Sequence, residues 1–382
     1  MANLRYPIGM QSFAKIREGG YLYVDKTGYI HDLVSNGTCY FLSRPRRFGK
    51  SLLISTIEEF FKGNRRLFEG LAISRQPYDW DAYPVLHIDL AGCSPDSVER
   101  LAEYFTDFLT RWEIEYGIIT DSDKSVGLRF KEIIIKAHEQ TGKPVVILVD
   151  EYDKPLLETV DNPELQERIR RELRMFYSNL KSLDGHIRFA MLTGVTKLGH
   201  LSIFSDLNNL QDISLSTQYN GICGITKEEL HEYFDEGIRK FSKNVDKTPE
   251  EIYEKLRENY DGYHFTPKGG EDVYNPFSLL NCMSEEWFGN YWFRTGTPSF
   301  LIKMIRGEGL PLQELASYET SLSSLSDVSF QLTDIIPVLY QSGYLTIKGY
   351  DERFDIATLG FPNKEVENGF FNQLMPLNSG NR

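Results

Sequence analysis

The chain has 382 residues, of which 41% are hydrophobic and 25% are charged, and this composition predicts a globular protein of more than one domain. Its net charge of −13 disfavours nonspecific binding to nucleic acid or to anionic membranes. The four cysteines lie far apart, the seven histidines lack ligand spacing, and no apolar run approaches the ~18 residues of a membrane span, so we expect a soluble, cytoplasmic protein without a disulfide framework, a zinc site or a membrane partner.

The first predicted elements precede a basic loop. The tyrosine-rich segment 21–24 predicts a brief strand, and the apolar spacing within 27–35 predicts a helix that ends at Asn36 and Gly37. A second apolar run, Tyr40–Leu42, predicts a strand, and the run Leu52–Ile57 predicts a helix that continues to about Phe61. The basic loop therefore lies between a strand and a helix.

The loop itself reads R-P-R-R-F-G-K-S, over Arg44–Ser51. Backbone N–H groups at a helix N-terminus bind phosphate, Lys50 adds a positive charge, and the Ser51 hydroxyl is placed to bind Mg²⁺. The predicted nucleotide contacts are Pro45, Arg46, Arg47, Phe48, Gly49, Lys50, Ser51 and Leu52. The match to the P-loop pattern is imperfect because Arg44 stands at its first glycine, and the alternative is a basic surface turn capped by Ser51.

Strands alternate with helices after this loop, which predicts a parallel α/β sheet. The predicted strands are Pro84–Leu90, Val145–Val149, His186–Thr193 and Ile213–Leu215, and the predicted helices are Asp96–Tyr116, capped by Ser94 or Asp96, Arg129–Gln140 and Asn162–Leu183. From about Gly224 helices dominate, at Lys227–Phe234, Thr248–Tyr260 and Ser278–Asn281. A helix over Asp334–Gln341 and strands at Gly343–Ile347 and Ala357–Phe361 then resemble a winged-helix module.

Two acids follow the most apolar of these strands. Asp150 and Glu151 come directly after Val145–Val149, at the strand end where parallel sheets bind ligands. Hydrolysis of a nucleoside triphosphate needs a carboxylate that holds Mg²⁺ and a group that deprotonates the attacking water. Asp150 is the candidate metal ligand and Glu151 the candidate catalytic base. The alternative is a strand that ends in two solvated acids.

Thr193 ends the next apolar strand, where a polar side chain can contact the γ-phosphate or the attacking water. The alternative is a hydroxyl that bonds to its own turn, and Thr196 and Lys197 lie near enough to take the catalytic place. Arginines that could stabilise the transition state are numerous: Arg168, Arg170, Arg171, Arg174, Arg188, Arg46 and Arg47. The last two are favoured as phosphate or loop contacts.

Taken together, these motifs resemble the bacterial AAA-ATPase-like family of P-loop NTPases. The matching stretches include Y-V-D-K-T (Tyr23–Thr27), R-P-R-R-F-G-K-S-L (Arg44–Leu52), V-D-E-Y-D-K-P (Val149–Pro155), L-T-G-V-T-K (Leu192–Lys197), Y-D-G-Y-H-F (Tyr260–Phe265) and L-Y-Q-S-G-Y-L-T-I-K (Leu339–Lys348). The resemblance implies that Lys50 and Ser51 bind phosphate and Mg²⁺, that Asp150 and Glu151 form the Walker B pair, and that the nucleotide is ATP.

The resemblance also implies a domain organisation. We expect a P-loop ATPase core over 1–222, a helical lid-like domain over 223–316, a winged-helix-like segment over 317–361, and a truncated lead-in to a further domain over 362–382. Members of the family commonly carry a C-terminal nuclease-like domain of the PD-(D/E)XK type, which we expect to be absent or truncated in this sequence.

Two functions are compatible with these predictions. One is an ATPase that hydrolyses ATP with Mg²⁺ as a regulatory or motor module for a partner or a fused domain. The other is a nucleotide-gated module that binds DNA or protein with little turnover. The candidate partners are a nucleotide, DNA and a nuclease-like domain, and an arginine supplied by a second copy would require an oligomer.

Overall fold

Five apolar or edge segments form one parallel sheet in the computed structural model, which describes residues 4–197, 209–293, 315–326 and 335–374. Its strands are β1 (Cys39–Ser43), β2 (Val85–Asp89), β3 (Val145–Asp150), β4 (Ile187–Gly194) and β5 (Gln211–Asp212). The strand order is β2-β3-β4-β1-β5, and each neighbouring pair is parallel. The predicted α/β fold with a parallel sheet is confirmed.

The carboxyl ends of the three central strands lie side by side. Val149 on β3 pairs with Leu192 on β4, and Leu42 on β1 pairs with Thr193 on β4. All six residues of β3 are buried, as expected for a strand covered on both faces. The register therefore brings the side chains that end β3 and β4, Asp150 and Thr193, to one edge of the sheet.

The fifth strand lies two residues earlier than its prediction. Gln211 and Asp212 pair with Tyr40 and Phe41, and the backbone N–H of Ile213 donates to the Phe41 carbonyl. Both residues of this edge strand are exposed, so they carry none of the apolar signal from which a strand is predicted.

The helices include long ones, which apolar spacing predicted, and short ones, most of which it did not predict. In chain order they are α1 (Phe13–Glu18), α2 (Thr27–Asn36), α3 (Lys50–Phe61), α4 (Val98–Glu115), α5 (Val126–Thr141), α6 (Lys154–Leu157), α7 (Pro163–Tyr177), α8 (Asn179–Ser182), α9 (Lys227–Asn244), α10 (Pro249–Tyr260), α11 (Pro276–Glu285), α12 (Leu322–Ser326), α13 (Ile335–Gln341) and α14 (Lys364–Gly369). Within the described ranges, none of them is both long enough and apolar enough to cross a membrane.

Helix boundaries differ from the predictions where side chains bond to the backbone. Ser97, rather than Ser94 or Asp96, caps α4, because its hydroxyl accepts from the Arg100 N–H. Ser125 caps α5 and starts that helix before the predicted Arg129. The helix predicted over 162–183 is two helices, with the side chain of Asn179 donating to backbone carbonyls after the break.

By its internal contacts the chain divides into two compact units. The first, here called the sheet unit, contains 27–43 and 54–213, and it includes the parallel sheet with the helices α2 and α4–α8. The second, here called the helical unit, contains 1–26, 44–53 and 214–382. The core of the helical unit is formed by α9, α10 and α11, which bury Phe234, Leu256 and Leu279 against one another.

A second, antiparallel sheet belongs to the helical unit. Its strands are β6 (Tyr318–Ser321), β7 (Thr346–Asp351) and β8 (Ile356–Gly360), in the order β6-β8-β7. The predicted helix and hairpin near the C-terminal end therefore exist as α13, β7 and β8. A strand predicted over 21–24 is wrong: Leu22 donates one backbone bond to the Arg5 carbonyl, and these residues form no ladder with any described strand.

Candidate functional site

The loop Arg44–Gly49 joins β1 to α3, and Lys50 is the first residue of that helix. Arg47 and Gly49 adopt left-handed backbone conformations, with φ of 70° and 96°. Glycine adopts this conformation without a steric penalty, whereas for an arginine it is uncommon. The predicted order of strand, turn and helix, with Gly49-Lys50-Ser51 at the helix start, is therefore what the chain adopts.

Lys50 points its charge at the loop that precedes it. Its side chain is buried, and Nζ donates to the carbonyls of Arg44 at 2.9 Å and Pro45 at 3.0 Å. Phosphate oxygens are stronger acceptors of an ammonium than neutral carbonyls are. An entering phosphate can therefore compete with these carbonyls for the Lys50 ammonium.

Arg44, at the first glycine of the P-loop pattern, anchors the loop. The residue is 2% exposed, and its guanidinium donates to the carbonyls of Ser214 at 2.7 Å and Tyr219 at 3.4 Å. The same group lies over the Phe265 ring, with Cζ 4.2 Å from the ring centroid. The departure from the pattern thus has a structural use: the side chain holds the beginning of the loop to the segment 214–219.

Replacing Arg44 by glycine would restore the P-loop pattern, yet we expect it to destabilise the protein by about 2–3 kcal/mol, because buried carbonyls lose their donor. Differential scanning calorimetry measures this as a lower melting temperature. Arg44→Lys keeps the charge but not the planar guanidinium, so its melting temperature should lie between those of the wild type and Arg44→Gly. A melting temperature unchanged in Arg44→Gly would contradict the anchoring role.

The middle of the loop is fixed by aromatic side chains. The ring of Phe48 is 1% exposed and lies edge-on to Tyr263 and Phe265, at centroid distances of 4.7 Å and 5.4 Å. The carbonyl of Phe48 accepts from the Gly224 N–H at 3.1 Å. Because its side chain is used in packing, Phe48 can offer only its backbone N–H to a ligand. The Y-D-G-Y-H-F motif thus supports the loop, a role that the sequence did not suggest.

Two further loop residues have close neighbours. The guanidinium of Arg47 lies 3.9 Å from the centroid of Phe277, and burial, with nearby Arg46 as the second cause, lowers the pKa of Arg47. A Cβ added to Gly343 would stand 2.7 Å from the Cβ of Pro45, so only glycine fits there. Arg46, Ser51 and Leu52 are half-buried.

The acid predicted as a metal ligand is buried and oriented. Asp150 is 4% exposed, and its Oδ1 accepts from the Thr193 hydroxyl at 2.6 Å and from the Glu151 N–H at 3.0 Å. Thr193 therefore bonds to the neighbouring strand, which is neither of the two arrangements considered from the sequence. One oxygen of Asp150 is fixed by these two donors.

Glu151, the predicted base, has an unusual backbone. It is half-buried, directly follows β3, and adopts φ of 53°. A non-glycine residue in this left-handed region costs about 1–3 kcal/mol and persists only where its surroundings fix it. Strain of this kind is common at active sites, and nothing in the amino-acid pattern around Glu151 reveals it.

Asp153 is the residue of this region that sequence reasoning missed. It is 1% exposed, and its carboxylate accepts from the backbone N–H and the hydroxyl of Thr196, both at 2.7 Å. The V-D-E-Y-D motif shows that a third acid is present, but its partner lies 43 residues away in the chain. Thr196, considered as an alternative to Thr193, is thus tied to Asp153.

Other candidates are ion-paired within the sheet unit. The Nζ of Lys197 lies 2.8 Å from an Asp212 carboxylate oxygen, and Arg168 lies 3.9 Å from Glu99. Arg170 pairs with Glu167. The choice of an arginine for the transition state stays a prediction.

The oxygen atoms that these side chains offer suit a magnesium ion whose other ligands are phosphate oxygens and water. The Ser51 hydroxyl forms no hydrogen bond with any described residue, and the Oδ2 of Asp150 accepts none within the same ranges. No cluster of three or more His, Cys, Asp or Glu side chains able to hold a metal occurs in the described part of the chain. Mg²⁺ in phosphate sites needs only one or two protein ligands, and a hydroxyl or a carboxylate is each chemically suited to that role.

Comparison with known proteins gives two sequence matches. The family described as "Predicted AAA-ATPase", the AAA-ATPase-like family, matches residues 7–204. An uncharacterized protein in the vnfD 5′ region of Azotobacter chroococcum mcd 1 is 41% identical over 374 residues, which cover 96% of this chain and 69% of that protein.

Solved structures show only distant likeness. Cdc6p from Pyrobaculum aerophilum aligns with 100% of this chain and 96% of its own at 11% identity and a TM-score of 0.32. The Aeropyrum pernix ORC1 protein, in complex with DNA, aligns with 91% of this chain and 92% of its own at 11% identity and a TM-score of 0.31. The Aeropyrum pernix ORC2 protein, in ADPNP–ADP complexes, aligns over 98% of both chains at 10% identity and a TM-score of 0.34. Membership of a family therefore rests on the two sequence matches and not on these structures.

Proposed function

Because this chain belongs to the AAA-ATPase-like family, we propose that it binds ATP with Mg²⁺ and hydrolyses it, as a regulatory or motor module for a partner or a fused domain. The observation that carries this proposal is the polar end of the central strands. Asp150 on β3 is buried and bonded to Thr193 on β4. β1, the next strand in the sheet, runs directly into the loop that contains Gly49-Lys50-Ser51.

In this proposal the loop binds the phosphates. The backbone N–H groups from Arg46 to Leu52 and the N-terminus of α3 face the β- and γ-phosphates, and Lys50 transfers its hydrogen bonds from carbonyls to phosphate oxygens. ATP rather than GTP is inferred from the family. Binding here requires no rearrangement of Arg44 or Phe48, since their side chains are already fixed by contacts within the helical unit.

Ser51 and the Oδ2 of Asp150 would hold the magnesium ion, which when bound neutralises charge that develops on the phosphate oxygens. Thr193 then acts through Asp150: its hydroxyl occupies Oδ1 and leaves Oδ2 for the metal. In this role Thr193 is a positioning residue and makes no contact with the γ-phosphate. Its bond also keeps the carboxylate from turning toward its own strand.

Glu151 is proposed as the general base. The oxygen of a water attacks the γ-phosphorus, the proton passes to the Glu151 carboxylate, and ADP leaves on the opposite side. The fixed left-handed backbone at Glu151 supports this role, because the base must be held in one orientation while water attacks.

Glu151→Gln is expected to bind ATP as the wild type does but to lower kcat by about 10²- to 10⁴-fold, because the amide cannot accept the proton. A phosphate-release assay measures the rate, and filtration with labelled ATP measures the trapped nucleotide. Glu164→Gln, at the exposed start of α7, is the matched control and should turn over normally. Unchanged turnover in Glu151→Gln would remove Glu151 from the base role.

A nucleotide-gated binding module is the second candidate, favoured by the antiparallel sheet β6-β8-β7 with α13 directly before β7. This arrangement is typical of a winged helix. All seven residues of α13 are buried, however, and the turn between β7 and β8 carries Glu352 and Asp355 beside Arg353, with Asp351 at the end of β7. A buried helix cannot enter a DNA groove as it stands, and an acidic turn repels phosphate. Protein is therefore the better candidate partner for this module.

Phosphate release with and without duplex DNA separates the two candidates. The ATPase proposal expects measurable release in both conditions, whereas a binding module releases none in either. Strong stimulation by DNA would reinstate DNA as the partner. Fusion to a nuclease-like domain and assembly into an oligomer remain predictions from the family resemblance.

A further inference from the structure

We infer that Asp153 is a positioning residue for hydrolysis, whose buried carboxylate holds the loop after β4 and thereby fixes the strained backbone of Glu151. This inference rests on the proposed ATPase function. It concerns residues of the sheet unit alone. It assigns a role to the third acid of the V-D-E-Y-D motif.

The carboxylate of Asp153 is surrounded by donors from one short segment. Its Oδ2 accepts from the Thr196 N–H and the Thr196 hydroxyl at 2.7 Å each, and from the Val195 N–H at 3.1 Å. Its Oδ1 accepts a longer bond from the same Val195 N–H at 3.3 Å. A buried carboxylate is stable only with such a set of donors. Asp153 therefore holds the backbone of the loop as well as one side chain.

Two segments are cross-linked along their length by these and other bonds. At one end the Thr193 hydroxyl donates to Asp150, and at the other the groups of Thr196 donate to Asp153. Between them the Tyr152 N–H donates to the Thr193 carbonyl at 3.0 Å, and the Tyr152 hydroxyl donates to the Thr196 carbonyl at 2.8 Å. The segments 150–153 and 193–196 thus form one rigid pair.

The fit between the segments leaves no room for a side chain at Gly194. A Cβ added to Gly194 would lie 2.6 Å from Asp153 Oδ1 and 2.6 Å from the Tyr152 ring. Real Cβ atoms do not approach other atoms this closely, so the two segments can pack only with glycine at this position.

Glu151 lies between the two cross-links, and this explains how its conformation persists. Its φ of 53° is unfavourable for a glutamate, so an unrestrained chain would relax it. Asp150 is fixed on one side by Thr193, and Asp153 is fixed on the other by Thr196. Loss of the Asp153 bonds removes one of these restraints. The Glu151 carboxylate would then sample positions from which it cannot accept the proton of the attacking water.

Two substitutions remove the restraint from opposite partners. Asp153→Asn replaces an acceptor by an N–H₂ group that faces the Thr196 donors, and Thr196→Val removes the hydroxyl while keeping the shape of the side chain. We expect each to lower kcat by about 10- to 100-fold, with the dissociation constant for ATP changed less than about 3-fold, because the base rather than the nucleotide is displaced. Thr196→Ser keeps the hydroxyl and should retain most of the activity.

The full chain is used, with single-turnover hydrolysis, titration with a fluorescent ATP analogue and thermal melting measured on each variant. Asp184→Asn, an exposed acid before β4, is the matched control. The double variant Asp153→Asn/Thr196→Val should be scarcely slower than Asp153→Asn alone, because the loss of the Asp153 acceptor already removes the bond from the Thr196 hydroxyl.

The results separate this inference from the proposal beneath it. A wild type that hydrolyses no ATP would overturn the proposed function and this inference together. An active wild type with unchanged kcat in folded Asp153→Asn would overturn only the role of Asp153. A lower melting temperature with a normal rate per bound nucleotide would also overturn it, because a merely structural acid gives that result. We expect kcat to fall in Asp153→Asn and in Thr196→Val while ATP affinity is retained, and we expect Thr196→Ser to keep most of the wild-type kcat.

Discussion

Lys50→Ala is expected to weaken ATP binding by about 100-fold or more, because the variant loses a buried ammonium with hydrogen bonds to a charged ligand, each worth about 1.5–3 kcal/mol. Isothermal titration calorimetry with Mg²⁺–ATP measures the change directly. The loop itself should persist, because Arg44 and Phe48 anchor it through contacts that do not involve Lys50.

Lys62→Ala is the matched control for this prediction. Lys62 follows α3 directly, and its Nζ pairs with Glu58 at the protein surface, 2.7 Å from the carboxylate oxygen. Surface pairs of this kind contribute about 1 kcal/mol or less, so Lys62→Ala should bind ATP as the wild type does. Equal binding by wild type and Lys50→Ala would mean that the loop is not the phosphate site.

Asp150→Asn is expected to lower ATP hydrolysis by about 10³-fold, because the metal loses a charged ligand at the place where phosphate charge develops. The dependence of the rate on Mg²⁺ concentration should shift to higher concentrations in this variant. Phosphate release measured across a magnesium titration reports both effects. The fold should survive, because an amide at this position can still accept the Thr193 hydroxyl.

Asp89→Asn provides an unusually close control. Asp89 pairs with Asp150 in the register of β2 and β3, so it ends the neighbouring strand at the same level. Its carboxylate accepts from the Ala91 N–H at 2.8 Å and is exposed. We therefore expect normal hydrolysis. Equal loss of activity in both variants would indicate a general effect of negative charge at this edge rather than a specific metal ligand.

The parallel sheet could be predicted because its central strands are long apolar runs. Val145–Val149 is buried on both faces, and the run between its flanking turns is too short for a buried helix. The position of the loop could likewise be predicted, because Gly49-Lys50-Ser51 comes shortly after an apolar strand. Strand β5 and the absence of a ladder at 21–24 could not be predicted, because pairing with a neighbour rather than apolar spacing decides them.

The bonds between strand ends depend on strand order. Thr193 meets Asp150 because β3 and β4 are neighbours, and no sequence pattern in this chain specifies that neighbourhood. Asp153 meets Thr196 for the same reason. An arginine at position 44 departs from the phosphate-loop pattern, and its contacts with Ser214, Tyr219 and Phe265 explain why it is there.

We propose above all that this chain hydrolyses ATP with Mg²⁺ and that hydrolysis requires the ammonium of Lys50. The most direct test is steady-state phosphate release by the purified full chain and by Lys50→Ala. Each protein is measured with Mg²⁺–ATP, with Mg²⁺–GTP and with ATP in excess EDTA. We expect release from Mg²⁺–ATP by the wild type, far less from Mg²⁺–GTP, and none with EDTA or with Lys50→Ala. Release that persists in Lys50→Ala, or in EDTA, would contradict the claim.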